Sequence, residues 1–200
     1  SDHLAFFLLE SIFLSLPFDQ VQPFVANIFQ LVFARIQSSK TLKIMRSFIV
    51  FLAFFIGKHG ASTVLQAIDN VQPNLFMMVM SSLWLPNIQK VSGLTERKAC
   101  AIAMIKLLTD CPALLGETYF SLWSKVLAAL MAVLELPQDE SAPADVVEEE
   151  VDVDIAQASH ASFETLMHAR KKDVDPFKDV DPKKLLAFSL QRLSQAHPGK

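Results

Sequence analysis

Cysteine, glycine and tyrosine are scarce in this sequence: two, five and one among 200 residues. Two thiols, Cys100 and Cys111, build no disulfide framework and no metal spacing, and along one helix they stand roughly 16 Å apart, beyond bridging. Reduced thiols of a nuclear or cytosolic protein are the expectation. The five isolated glycines supply no phosphate-cradling loop, and with ten prolines they exclude collagen-like and linker-dominated chains. Positive charge is not in excess. The net charge of −3 and a pI near 5.9 argue against nucleic acid as the main ligand. Long apolar runs are absent too: none exceeds the nine residues of 48–56, which lies between Arg46-Ser47 and Gly57-Lys58-His59, where a spanning helix needs about 20 residues. Residues 4–16 are interrupted by Glu10 and two serines and carry no basic flank or cleavage site, so they make a poor signal peptide. No membrane span is expected.

What is present is buried mass. The chain is 52% apolar, with a mean hydropathy of +0.33, sixteen Phe and seven Met. Phe offers no polar tip to a wet surface, so these rings belong inside. No stretch alternates with period two; the apolar residues recur at three and four, the helical spacing. Helices are predicted over 4–16, 24–37 with Pro23 in the first turn, 41–59, 61–71, 74–91 kinked or split in two at Pro86, 95–109 opened by Thr95-Glu96, and 118–134. Lys58, His59 and Gly60 suit the end of the third: two cations beside the last carbonyls, then a glycine cap. Residues 138–154 then carry eight carboxylates and no Lys or Arg, leaving +5 on the remainder. Such a tract reads as an acidic flexible loop. A short helix over 161–171, a duplicated Asp-Val-Asp-Pro and a last helix capped by Asp181-Pro182 complete the chain.

Reactive chemistry finds little footing. His3, His59, His160, His168 and His197 are scattered, and His160 and His168 on one helix would lie about 12 Å apart, too far to share a metal. Cys111 sits at a helix exit before proline, where a small buried hydrophobe is expected, not a nucleophile. The Asp-Val-Asp-Pro pair lacks the glycine and terminal Glu of a calcium loop and fits a stiff polar connector. Trp84 and Trp123 lie on apolar faces and are expected in the core. No catalytic, cofactor-binding or metal residue is expected. What remains are surfaces: the acidic tract, which could attract a basic partner or keep the chain soluble, and a basic cluster of Arg170, Lys171, Lys172, Lys178, Lys183, Lys184 and Arg192. That cluster could face an acidic partner or fold back on the neighbouring acidic tract.

Helix follows helix with short proline or glycine corners, in antiparallel pairs of about 40 residues, as in stacked repeats of the HEAT kind. A closed bundle is the competing architecture. The expected class is an all-α HEAT-repeat solenoid, a right-handed superhelix. Its divisions are helix pairs over 1–137, an acidic loop over 138–160, and a further pair starting the next repeats over 161–200.

Six islands carry a resemblance: Leu31-Val-Phe-Ala-Arg-Ile-Gln-Ser-Ser-Lys-Thr41, Leu85-Pro-Asn-Ile-Gln-Lys-Val-Ser-Gly93, Lys106-Leu-Leu-Thr-Asp-Cys-Pro112, Leu134-Glu-Leu-Pro137 before the acidic stretch, Lys171-Lys-Asp-Val-Asp-Pro176, and Leu190-Gln-Arg-Leu-Ser194. In this order and spacing the chain resembles the C-terminal half of the exportin-2 (cellular apoptosis susceptibility) family of karyopherins, relatives of importin-β. The second Asp-Val-Asp-Pro and the Phe-rich third helix depart from that pattern. The resemblance implies a HEAT superhelix that is a piece of a longer array, a shuttling location in nucleus and cytoplasm, and non-catalytic binding of importin-α with Ran-GTP. By analogy with HEAT arrays, the polar positions of 118–134 and 183–196 are expected to line the concave side. An unrelated HEAT or armadillo scaffold is the alternative. Cutting such an array bares apolar end faces, so self-association of the piece is expected.

Overall fold

Eight α-helices and no strand build the described residues, 2–137 and 175–198, of this computed structural model. The acidic tract and the helix expected at 161–171 lie outside them. The helices are α1 (Asp2–Ser15), α2 (Phe18–Ser38), α3 (Leu42–His59), α4 (Ala61–Val71), α5 (Leu75–Val79), α6 (Leu94–Thr109), α7 (Phe120–Glu135) and α8 (Pro182–Ala196). Local chemistry sets several boundaries. The Thr41 hydroxyl accepts from the Ile44 N–H, and Asp181 accepts from the N–H groups of Lys183 and Lys184, capping α3 and α8. Between α3 and α4 the chain turns at Gly60, whose φ of 94° only glycine adopts without strain.

Two expectations are corrected and a third, at Pro86, is made specific. α2 begins at Phe18 rather than Phe24, so Pro23 lies inside the helix and forfeits one bond, to the Asp19 carbonyl. The apolar face Val21, Val25, Phe29, Val32, Ile36 runs unbroken across the proline, and its burial outweighs the lost bond. α6 starts at Leu94 with Gly93 as its N-cap; Thr95 lies inside the helix, and the Glu96 carboxylate reaches back over Gly93. At Pro86, where a kink or a split in two is expected, the stretch is divided by a change of winding. Past α5 the helix continues as a π turn, Met80–Trp84, and a 3-10 run, Leu85–Lys90. The Leu85 N–H bonds to the Met80 carbonyl, and the Asn87 side chain donates to the Leu83 carbonyl at 2.8 Å. Pro86 cannot close an ordinary turn, and these bonds take its place.

The helices form two rows. In one, α1 packs on α3, α3 on α6 and α6 on α8. Contacts join like ends: Phe13 meets His59 near the C-termini of α1 and α3, Lys106 reaches Gly57 across α6 and α3, and Arg192 reaches Asp110 across α8 and α6. The row is therefore parallel, and every member needs a return helix. α2, then α4 with Leu75–Lys90, then α7 provide it and form the second row. This is the layering of a HEAT solenoid, not of a bundle around one axis.

α3 explains the phenylalanine count. Every residue from Phe48 to Gly57 is buried, because α3 is covered by α1, α6, α2, α4 and Leu85–Lys90. Phe6, Phe13, Phe29, Phe51 and Phe55 form one aromatic cluster; Phe13 meets Phe55 edge to face at 4.6 Å. A fully buried Phe contributes about 1.5–3 kcal/mol, against about 1 kcal/mol for a helix cap. Packing between rows, not capping, holds the array together. Among the described residues no helix is long and apolar enough to cross a membrane.

Candidate partner-binding surfaces

Among the described residues both cysteines are buried, and His197 is exposed. Burial pushes the Cys100 thiol far up, with the Glu96 charge adding to it, and burial raises Cys111 against weaker opposing bonds from Ser62 and the backbone. Both therefore stay protonated and poor nucleophiles. His59 does not act as the helix-end cation its sequence position suggested. Its ring lies among Phe13, Phe18 and Phe55, and its Nε2 N–H donates to the Phe13 carbonyl at 2.7 Å. Burial lowers its pKa, opposed by that bond and helped by Lys58, so it ties α1 to α3 as a neutral ring. Lys106 performs the helix-end task instead, donating to the Gly57 carbonyl of α3's last turn at 2.7 Å. Local sequence could not reveal that cation, which comes from another helix.

Both tryptophans pack inward. Trp84 is fully buried and donates to the Ile49 carbonyl at 3.0 Å; Trp123 is half-buried and donates to the Leu108 carbonyl at 3.0 Å. Asp69 and Tyr119 link α4 to the start of α7: the Tyr119 hydroxyl donates to Asp69, which also accepts the Phe76 N–H at 2.8 Å. Burial, then the Asp69 carboxylate, pushes the tyrosine pKa up to about 12.

Of the basic cluster, Arg170, Lys171 and Lys172 and the acidic tract lie outside the described residues. Lys178, Lys183 and Lys184 are exposed, and Arg192 bonds Asp110 of α6 at 2.5 Å. Of the three described aspartates of the Asp-Val-Asp-Pro repeats, Asp179 is exposed, while Asp175 and Asp181 have backbone partners. Asp175 accepts the Phe177 N–H at 2.8 Å and pairs with Lys98 at 3.0 Å, while Asp181 caps α8. They serve as connectors. Among the described residues no three His, Cys, Asp or Glu side chains cluster as metal ligands would.

Two clefts open between helices of the array. One, of about 200 Å³ between α2 and α4, is lined by Phe18, Val25 and the polar Gln22, Thr63, Gln66 and Asn70. The other, of about 370 Å³ between α7 and α8, has an apolar floor of Met131, Leu134, Leu186 and Leu190 with Glu135 and Lys183 at its edge. Phe120 at the start of α7 and Phe188 on α8 are exposed rings. α7 and α8 belong to different rows, and both line this cleft.

The CAS/CSE protein, C-terminus, family matches residues 1–200. Exportin-2 of Danio rerio is 42% identical over 202 residues, covering 100% of this chain and 21% of that protein. Exportin-2 of Homo sapiens is 39% identical over the same coverage. The chain thus spans about a fifth of the length of the curated relatives it matches. A solved structure, the exportin Cse1 in its cargo-free, cytoplasmic state, superposes with a TM-score of 0.74 at 20% identity, over 98% of this chain and 19% of that one. That likeness concerns the fold, and it is the two-row solenoid described above. With the family matched along all 200 residues and relatives near 40% identity, the chain belongs to the CAS/CSE family, in the region of its C-terminus.

Proposed function

We propose that this chain is the cargo-clasping segment of a nuclear export receptor, one that binds importin-α together with Ran-GTP and returns it to the cytoplasm. The receptor shuttles between nucleus and cytoplasm and works by binding, not catalysis. The observation that carries this reading is the collinear match of all 200 residues to proteins named exportin-2. The geometry is consistent with it. A row of parallel helices presents many similar interfaces in series, and small displacements at each sum to a large change in curvature. Ran-GTP can then favour the closed curvature that grips cargo, and nucleotide hydrolysis lets the array relax and release it.

The test is a pull-down with the full-length protein on immobilised importin-α, with and without Ran-GTP. Retention that depends on Ran-GTP is expected. Retention in neither condition overturns the reading and leaves a HEAT scaffold with other partners.

A further inference from the structure

Elsewhere in the array, polar side chains at the seams between helices find partners within the chain: His59 the Phe13 carbonyl, Lys106 the Gly57 carbonyl and Trp123 the Leu108 carbonyl. The cleft between α2 and α4 is different. Gln22 of α2 and Thr63, Gln66 and Asn70 of α4 line it, together with the apolar Phe18 and Val25. Among the described residues none of these four polar side chains has a hydrogen-bond partner. None of the residues lining the cleft is charged.

A Gln or Asn side chain ends in a carbonyl and N–H donors, the same groups that a peptide main chain presents. Gln66 and Asn70 are four residues apart on one helix, so they stand about 6 Å apart along its axis. Residues on one side of an extended chain repeat at about 6.7 Å. The two amides therefore keep step with alternate residues of an extended segment. A helical segment would offer them little, because its main-chain groups are already paired. At about 200 Å³ the cleft is smaller than the roughly 300–1,000 Å³ that encloses a whole small molecule. It has room for one side chain of a segment that passes over it. A charged side chain would lose water there and gain no counter-ion.

We propose that this cleft is a docking site for an extended, uncharged peptide segment of a partner protein. Its main chain hydrogen-bonds to Gln22, Gln66 and Asn70, and one apolar side chain sits against Phe18 and Val25. This goes beyond the export reading and holds equally for a HEAT scaffold with other partners.

The test is surface plasmon resonance of the full-length protein over immobilised peptides of about nine residues, roughly 30 Å when extended. They carry Ser and Thr flanks and each amino acid in turn at the centre. Peptides centred on Val, Leu or Met are expected to be retained, and those centred on Asp, Glu, Lys or Arg at least about tenfold more weakly. N-methylating the main-chain amides on either side of the centre removes donors and keeps the side chain; it is expected to weaken retention by about tenfold. Gln66→Ala with Asn70→Ala is expected to do the same, and so is Ala26→Trp, which fills the cleft and leaves the amides in place. All three positions are exposed, so thermal unfolding is expected to be unchanged in both variants. Retention of no uncharged peptide overturns the proposal. So does retention indifferent to N-methylation, or retention by both variants equal to that of the unaltered protein.

Discussion

The ring of Phe177 covers Gly57 so closely that a Cβ on the glycine would meet ring atom Cζ at 2.5 Å. The contact joins residues 120 positions apart and seats the segment leading to α8 on the end of α3. Gly57→Ala should therefore displace the ring and cost about 1–3 kcal/mol. With Phe177→Ala already made, the same substitution should stabilise by up to about 1 kcal/mol, because alanine is the better helix residue. Urea unfolding of the two single variants and the double variant checks the reversal of sign; equal costs in both backgrounds would remove the contact from the account.

Trp84 and Trp123 make the same kind of bond, indole N–H to a helix carbonyl at 3.0 Å, in different surroundings. Trp84 is fully buried, so Trp84→Phe should cost about 1–3 kcal/mol through the lost bond and the space left behind. Trp123 is half-buried, water can reach its site, and Trp123→Phe should cost about 0.5–1.5 kcal/mol. Thermal unfolding of the two variants ranks them, and the reverse order would contradict the burial assigned here.

Much of this was legible in the sequence, wherever a few neighbouring residues decide the outcome. Thr41, Gly60 and Asp181 mark helix ends by their own side chains or lack of one, and the spacing of α3 and α7 follows from turns of 3.6 residues. Pro23 misled because its local preference is set against a buried face running the length of α2. The Lys98–Asp175 pair, the Phe177 contact and the Asp69–Tyr119 link were not legible. Each joins residues at least 40 positions apart, and no local pattern encodes which distant carbonyl or carboxylate will be opposite a given side chain. The inward turn of His59 has the same origin: its partner Phe13 is 46 residues away.

Tyr119 is the single tyrosine of the chain, and its pKa stands at about 12 in the folded state. The unfolded value is about 10, so the neutral hydroxyl favours folding. That contribution is complete below pH about 10 and is lost as the pH rises through the folded value. Tyrosinate absorbance of the folded chain should titrate well above that of the denatured chain, and Tyr119→Phe should remove this part of the alkaline loss of stability. A tyrosine titrating at its ordinary value while the chain is folded would contradict the Asp69 link.

His59 gives the opposite sign on the acid side. Its pKa is lowered by burial, so the unfolded chain binds the proton more readily. Its contribution is complete above pH about 6.5 and is lost as the pH falls through the folded value. NMR titration should find the His59 ring protonating below the ordinary histidine range, and His59→Phe should flatten stability against pH in that window. A ring titrating at or above the ordinary value would place His59 in solvent.

The reading as an export receptor requires two ligands that assist each other through one solenoid, and linkage makes that assistance reciprocal. The most direct measurement is calorimetric titration of importin-α into the full-length protein, with and without saturating Ran-GTP. The account predicts affinity at least about tenfold tighter with Ran-GTP, and the same factor for Ran-GTP binding when importin-α is present. Equal affinities in both conditions, or no binding of importin-α in either, would contradict it.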